Sequence, residues 1–147
     1  RGSLCKSATM IITPKENTGI RILEKFRNVL SDAGFGAINF TTPEEHDKVI
    51  AFTSQLPHII SNAYVKSHTA VKQKGFSAGS YRDLTRVSKL NEKMWTELFF
   101  ENKENLVNEI DFLVDRLSEY SAALKSNDRE SLIALLKEGT DSKKQAK

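Results

Sequence analysis

Apolar positions recur at helical spacing along most of this chain, and the exceptions lie near its N-terminus. Residues 8–13 (ATMIIT) and 36–40 (GAINF) are short runs with the composition of strands. Between them the apolar positions follow one helix face, and Gly34 occupies the position expected of a C-terminal cap. That face comprises Ile20, Leu23, Phe26 or Arg27, and Leu30. The order strand, helix, strand predicts one right-handed crossover unit of a parallel sheet.

This predicted unit is too small to form a parallel sheet alone. A parallel sheet needs cover on both faces and neighbouring strands on its edges, and one helix cannot supply these. We therefore expect residues 1–41 to be the edge of a larger sheet whose N-terminal portion is missing from this chain.

The pattern changes at residue 42, where Thr42 and Glu45 form a capping box with Pro43 at the first helical position. A long helix is predicted from here, with a heptad-like stripe of apolar residues suited to packing against another helix. The stripe comprises Val49, Phe52, Leu56, Ile59 or Ile60, and Ala63. Pro57 lies inside this helix, so we expect a kink that frees the carbonyl of Thr53.

The second half of the chain predicts further helices after a loop between His68 and Ser80. Ser80 and Asp83 repeat the capping-box pattern and predict a short helix through about Ser88, and Asn91 can cap the next helix. The apolar positions after Asn91 recur at intervals of four and three residues and form one seam along a helix. This seam predicts a helix of roughly 30 residues that is about 45 Å long. Its members are Trp95, Phe99, Asn102, Leu106, Ile110, Leu113, Leu117, Tyr120 and Leu124.

A final helix is predicted from a cap near Asn127, with Glu130 in its first turn, to a stop at Gly139. Residues 140–147 then read as a polar tail. The fold class predicted is mostly α: long packed helices preceded by a β-α-β remnant of a Rossmann-like parallel-sheet domain. The seam is longer than so small a domain can cover, which predicts packing against a second copy.

Composition narrows the possible functions. The chain has 147 residues, a formal net charge of +3 and one cysteine, Cys5. One cysteine excludes an internal disulfide framework, and no histidine pair or carboxylate cluster predicts a metal site. The single cysteine fits a reducing, cytoplasmic setting. No apolar run predicts a membrane span or a signal peptide, so a soluble protein is expected. The lysines are scattered among carboxylates, so a nucleic-acid partner rests on the pI of about 9.0 alone.

Two clusters of side chains are candidates for binding. His58 follows Pro57 and shares a polar helix face with Ser54 and Asn62; the alternative is a surface or cap-bonded histidine. Asp83 and Arg86 stand three residues apart, which suits either an ordinary ion pair or a carboxylate-binding fork tempered by an acid.

Aromatic and amide side chains of the seam also have two interpretations. Trp95 and Phe99 are most simply core residues. Asn102 interrupts an apolar seam, so it needs a polar partner and can set helix register or reach into a site.

Two runs of sequence resemble a known family. Residues 42–64 (TPEEHDKVIAFTSQLPHIISNAY) and 79–102 (GSYRDLTRVSKLNEKMWTELFFEN) are similar to the C-terminal helical domain of prephenate dehydrogenases. The landmarks are His46 with Asp47, Ser54 to His58, Asp83 to Arg86, Trp95 and Asn102. Residues 1–41 resemble the last strands of that family's nucleotide-binding domain.

The resemblance implies an NAD-dependent oxidoreductase that converts prephenate to 4-hydroxyphenylpyruvate in tyrosine biosynthesis. It implies that Arg86 binds a substrate carboxylate, that His58 contacts the substrate, and that Asp83, Gly79 and Trp95 line or gate the pocket. It further implies a homodimer through the long helices. The family's glycine-rich NAD loop and catalytic histidine are expected in the missing N-terminal part. This chain alone is therefore predicted neither to bind NAD tightly nor to turn over prephenate.

One departure from the family pattern concerns Gln55, which stands where the family commonly has a second histidine, and this weakens a proton-transfer role there. The domain boundaries implied are 1–41 for the nucleotide-binding edge, 42–139 for the helical dimerisation and substrate-binding domain, and 140–147 for the tail. Arogenate as substrate and a non-catalytic helical dimerisation module are the alternatives.

Overall fold

The computed structural model describes residues 5–6, 8–76 and 78–146. The chain separates into two compact units, Arg1–Gln55 and Leu56–Lys147. The first unit contains β1 (Thr9–Ile12), α1 (Ile20–Asp32), β2 (Ala37–Phe40), α2 (Pro43–Ile50) and a π-helical turn (Ala51–Gln55). The second contains α3 (Leu56–Tyr64), a 3-10 turn (Ala70–Lys72), α4 (Gly79–Thr85), α5 (Glu92–Glu101), α6 (Lys103–Lys125) and α7 (Arg129–Gln145). The prediction of a mostly α chain with a short parallel sheet is confirmed.

The strands of the first unit pair in parallel, with Thr9 opposite Ala37 at the start of the register. Helix α1 connects them and ends at the predicted glycine, because Gly34 has φ +92, a conformation that L side chains rarely adopt. The amide of Gly34 donates to the Ser31 carbonyl at 2.9 Å, and the amide of Phe35 to the Leu30 carbonyl at 3.2 Å. This pair of bonds is a Schellman motif, which satisfies carbonyls left open at the helix end.

Helix α2 begins as predicted and then changes its hydrogen-bonding pattern before the proline. The Thr42 hydroxyl accepts from the Glu45 amide at 3.2 Å, and Pro43 is the first helical residue. The π turn then lies directly before Leu56 and Pro57. Proline removes the amide that would bond to the Thr53 carbonyl, and a π turn is one way in which a helix absorbs such a loss. The predicted break is thus a π turn followed by α3.

The second unit is a set of helices packed pairwise. Helix α3 packs against α4 and α6, α5 packs against α6, and α6 packs against α7. Its most buried side chains are Leu56 and Ser61 from α3 and Leu106 and Ala123 from α6. Leu56, Ser61 and Leu106 are the buried residues of the helix pair α3 and α6, whereas Ala123 lies near the end of α6, at the cleft against α7.

The prediction of one uninterrupted helix through the seam is wrong. Asn102 has φ −116 and ψ 31, so α5 ends at Glu101 and α6 begins at Lys103. The Asn102 side-chain oxygen accepts from the Asn105 amide at 2.8 Å, and such local side-chain bonds compete with helical hydrogen bonding. The seam is buried at Leu106 but not at its far end, since Leu117 is 58% exposed and Leu124 is 62% exposed.

One predicted cap is wrong and another lies one residue further on, although Asn91 caps α5 as predicted, with its side-chain oxygen accepting from the Met94 amide at 3.0 Å. Helix α4 starts at Gly79, so Ser80 lies inside the first turn and forms no capping box. The cap of α7 is Asp128, because Asn127 takes a left-handed φ of 55 in the preceding turn.

Two predicted helix ends are corrected as well. Helix α4 ends at Thr85, before the predicted Ser88. Helix α7 continues through Gly139 to Gln145, because a glycine inside a helix costs only about 1 kcal/mol and does not stop it. The predicted domain boundaries, 1–41, 42–139 and 140–147, stay predictions.

Candidate functional site

The polar face of α3 holds the chain segment that follows α4. His58 Nδ1 lies 3.2 Å from the Val87 carbonyl oxygen, and the Asn62 side-chain amide donates to the Ser88 carbonyl at 3.0 Å. A carbonyl can only accept, so Nδ1 of His58 carries a proton and donates it. In the neutral imidazole Nε2 is then the acceptor, which leaves it available to a ligand hydroxyl.

His58 also begins a row of aromatic rings. Its imidazole lies 4.1 Å from the Trp95 ring, centroid to centroid, at 43° between planes. Trp95 in turn lies 5.3 Å from Phe99, one turn further along α5. These tilted contacts join α3 to α5 and fix one face of the imidazole against an apolar wall. Trp95 is half-buried. This position fits both of its interpretations, as a core residue and as a site residue.

Arg86 is the C-terminal cap residue of α4 and directly precedes the segment that α3 holds. Its side chain is exposed, as is that of Asp83. Within the part of the chain that the structure describes, no ion pair joins Arg86 to Asp83, so the simple ion-pair interpretation is not what the structure shows. The Arg86 guanidinium is thus placed on a fixed stretch of backbone while its charge stays uncompensated by Asp83.

The remaining predicted site residues lie around this geometry in different ways. Gly79 is the first residue of α4, where it is exposed and has open space beside its Cα. Ser54, predicted to share the face of His58, lies in the π turn of the first unit, where four-residue spacing does not hold. The structure thus brings together His58, Trp95 and the residues that follow Arg86.

Sequence reasoning did not find the carbonyl groups of Val87 and Ser88. Backbone acceptors carry no side-chain signal, and the pairing spans 29 and 26 residues. It also did not find the contact between Tyr64 of α3 and Tyr81 of α4, whose rings lie 6.1 Å apart.

A separate cleft of about 580 Å³ lies between α6 and α7. It is lined by alanine and serine side chains and by Arg116, Glu119, Asp128 and Glu138. Arg116 and Glu119 form an ion pair at 2.8 Å on its edge. This cleft contains none of the predicted site residues, so it is separate from the site at His58.

Neither a metal-binding cluster nor a membrane-spanning helix is present among the described residues. Among residues 5–6, 8–76 and 78–146, no group of three or more histidine, cysteine, aspartate or glutamate side chains is arranged to hold a metal ion. In the same ranges, no helix combines the length and apolarity needed to cross a membrane.

The comparison with protein families matches the end of the first unit and most of the second. The family model described as "Prephenate dehydrogenase, dimerization domain" matches residues 42–138. The cyclohexadienyl dehydrogenase of Zymomonas mobilis is 31% identical over 137 residues, which cover 88% of this chain and 46% of that protein.

Solved structures give the same picture of the fold. The prephenate dehydrogenase of Aquifex aeolicus, in complex with hydroxyphenyl propionate and NAD+, matches with a TM-score of 0.76 and 29% identity. That match covers 93% of this chain and 49% of the other. The arogenate dehydrogenase of Synechocystis shares the fold, with a TM-score of 0.83 at 22% identity, over 99% of this chain and 54% of the other. The chain spans about half the length of the relatives it matches.

Proposed function

Because the chain belongs to the prephenate dehydrogenase family, we propose that it supplies the substrate-binding and dimerisation parts of an NAD-dependent oxidoreductase. The proposed reaction oxidises prephenate to 4-hydroxyphenylpyruvate, with a hydride passing to NAD+ and the ring carboxylate leaving as carbon dioxide. The observation that carries the proposal is the convergence of three features: His58, Trp95 and the tethered segment after Arg86. An aromatic wall, a hydrogen-bonding imidazole and a cation suit a cyclic dicarboxylate.

Arg86 is the proposed carboxylate-binding residue. A guanidinium offers a planar fork of donors that matches a carboxylate in two parallel hydrogen bonds. Its exposure and the lack of an ion pair with Asp83 within the described residues leave that fork available. Asp83, Gly79 and Trp95 are proposed to line the pocket.

His58 is proposed to contact the substrate through Nε2. Its Nδ1 proton is committed to the Val87 carbonyl, so the ring is held in one orientation and one neutral tautomer. In that tautomer Nε2 accepts a hydrogen bond and orients the group that donates it. We assign no proton-transfer step to it, and the catalytic residue is proposed to lie in the longer protein.

The residues described here do not fit a dinucleotide site by themselves. A pyrophosphate needs a glycine-rich turn between a strand and the N-terminus of a helix. Among the described residues the turn from β1 to α1 contains one glycine, Gly19, and the two glycines with positive φ are Gly34 and Gly75. NAD is therefore proposed as the cofactor of the longer protein, and no step is derived from this chain's contacts with it.

The homodimer is supported by large apolar side chains that α6 and α7 leave exposed. They include Phe112, Leu117, Leu124, Ile133 and Leu136. A second copy of the chain would remove such surface from water.

Arogenate is the alternative substrate. Prephenate and arogenate are both substituted cyclohexadienes, and one relative is named a cyclohexadienyl dehydrogenase. The two acids differ in the side chain that carries the second carboxylate, a ketone in prephenate and an amine in arogenate. Turnover of both acids by the longer protein would separate these substrates.

The test of the proposed function is ligand binding by the 147-residue chain, which is monitored by nuclear magnetic resonance. We expect prephenate to shift the Trp95 indole signal, and Arg86→Ala to weaken the binding at least tenfold. The neighbouring Arg82→Ala is the control and should bind as the unmodified chain does. Equal binding by Arg86→Ala would overturn the proposal. NADH formation by this chain alone, with prephenate and NAD+, would overturn the assignment of catalysis to the longer protein.

A further inference from the structure

Two successive backbone carbonyls directly after Arg86 accept hydrogen bonds from one helix. Val87 receives its bond from His58, and Ser88 receives its bond from Asn62, at 3.2 and 3.0 Å. His58 and Asn62 are four residues apart, so they lie one above the other on the same face of α3. His58 belongs to the proposed site, whereas Asn62 is not among the residues proposed to contact the substrate.

The same helix holds α4 near its beginning. Tyr81 in the first turns of α4 lies against Tyr64 at the end of α3, with ring centroids 6.1 Å apart. Arg86 is therefore flanked by three attachments to α3: an aromatic contact before it, and the hydrogen bonds from His58 and Asn62 after it. The Ser88 amide also closes a turn onto the Thr85 carbonyl at 3.1 Å, which ties this segment back to α4.

We propose that Asn62 is a positioning residue that fixes Arg86 relative to His58. This inference rests on the proposed function, because it concerns the orientation of the residue assigned there to the substrate carboxylate. Asn62 touches no substrate itself; it acts through the carbonyl of Ser88. The bond fixes the backbone two residues after Arg86, and so it sets the direction in which the guanidinium fork leaves the surface.

Direction matters because two parallel hydrogen bonds to a carboxylate require the fork and the carboxylate to be nearly coplanar. The bond from His58 restrains the carbonyl of Val87 directly, and the turn from Ser88 to Thr85 ties the segment to α4. The bond from Asn62 fixes the next carbonyl, that of Ser88, and so adds a second direct restraint from α3 to the backbone after Arg86. Loss of a single neutral hydrogen bond of this kind corresponds to about a three- to tenfold change in an equilibrium constant.

The experiment compares two ligands that differ in charge. The probes are hydroxyphenyl propionate and its uncharged amide, titrated into the labelled chain while the Trp95 indole signal is followed. Asn62→Leu keeps the branched shape and the number of side-chain heavy atoms and removes the donor. We expect it to weaken binding of the carboxylate about three- to tenfold while the amide binds as before. A general loss of structure would lower the binding of both ligands equally.

Controls separate this effect from other causes. Asn62→Gln keeps an amide donor and should recover part of the preference for the carboxylate. Asn105→Leu is the matched control, because it also removes one part-buried hydrogen bond donated by an asparagine side chain, at 2.8 Å to Asn102. It should leave the preference for the carboxylate unchanged.

The outcomes distinguish the inference from the proposed function. If Arg86→Ala loses the preference for the carboxylate and Asn62→Leu keeps it, the positioning role is wrong and the proposed function stands. If Arg86→Ala also keeps the preference, the carboxylate-binding role is wrong and the positioning role falls with it. If Asn62→Leu loses the preference and Asn105→Leu does not, the positioning role is supported.

Discussion

The imidazole of His58 lies 4.1 Å from the indole of Trp95, centroid to centroid, with the two planes tilted by 43°. The two residues are 37 positions apart in the sequence, and each comes from a different helix of the second unit. Since Trp95 is the single tryptophan of the chain, its fluorescence reports on this one contact. The pair is therefore both the centre of the proposed site and an internal probe of it.

His58→Gln should change the Trp95 emission, because it removes the ring that lies against the indole. The measurement is the emission spectrum of each folded variant. His68→Gln is the control and should leave the emission unchanged, since His68 is exposed and outside the site. An emission spectrum that stays the same in His58→Gln would contradict the contact.

Arg86→Ala should leave the free energy of unfolding within about 0.5 kcal/mol of the unmodified chain. The side chain is exposed and forms no ion pair within the described residues, so its removal takes away charge but little packing. Urea unfolding checks this, with Arg82→Ala as the control on the same helix. A large destabilisation would mean that Arg86 has a structural role instead of a binding role.

Leu117→Glu should shift the chain from dimer to monomer. Leu117 is 58% exposed within its own chain, so a charge there costs little unless another copy covers it. Ser118→Glu adds the same charge at the next position of α6, where the side chain is also exposed, and should leave the mass unchanged. Light scattering gives the mass of each variant. A Leu117→Glu chain with the mass of the unmodified protein would remove Leu117 from the interface.

Two glycine substitutions should change stability in opposite directions. Gly139 lies inside α7 with open space around it, so Gly139→Ala should stabilise the helix by about 1 kcal/mol. Gly34 has φ +92 at the end of α1, also with open space, so Gly34→Ala should destabilise by about 1 to 2 kcal/mol. Since neither methyl group meets a neighbour, the backbone conformation alone decides the sign. Urea unfolding of both variants measures it, and equal signs would be inconsistent with these conformations.

The cap of α7 should make stability depend on pH in the acid range. The Ser131 amide donates to the Asp128 carboxylate at 3.0 Å, and this bond, followed by the bond from the Ser131 hydroxyl, lowers the pKa of Asp128. A carboxyl whose pKa is lower in the folded state binds fewer protons there than in the unfolded chain. The free energy of unfolding therefore rises with pH between the folded pKa and the unfolded pKa. The contribution is complete above the unfolded pKa and is lost as the pH falls through the folded pKa.

Unfolding by urea at a series of pH values tests this cap. Asp128→Asn keeps an acceptor oxygen and does not titrate, so the advantage of the unmodified chain over this variant should shrink as the pH falls through the carboxylate range. Asp141→Asn near the end of α7 is the matched control for removing a carboxylate from the same helix. An advantage that does not change with pH would exclude the lowered pKa as its cause.

The resemblance to prephenate dehydrogenases was readable in the sequence because it depends on ordered side-chain types over residues 42–102, and the family comparison confirms it. The roles of His58, Arg86, Asp83, Gly79 and Trp95 stay predictions. The structure adds that His58 and Trp95 are in contact and that the segment after Arg86 is tethered. Neither could be predicted from spacing, because both join residues far apart in the chain.

The sequence by itself determined the features that depend on nearby residues. The parallel pair of strands, the helix end at Gly34, the caps at Thr42 and Asn91, and the helix break near Pro57 follow from side-chain chemistry and φ preferences within a few positions. Local signals were misleading where two nearby residues could serve the same purpose. Asn127 and Asp128 compete for one cap, and the left-handed turn at Asn127 leaves the cap to Asp128.

Only the tertiary structure decided which of the helical faces meet. It placed the ring of His58 against that of Trp95 and the amide of Asn62 on the carbonyl of Ser88. A helical period shows that a face is apolar or polar, but it does not show which partner covers that face, because packing depends on contacts between distant segments. The geometry around His58 and Arg86 depends on such contacts between distant segments, so the helical period alone could not predict it.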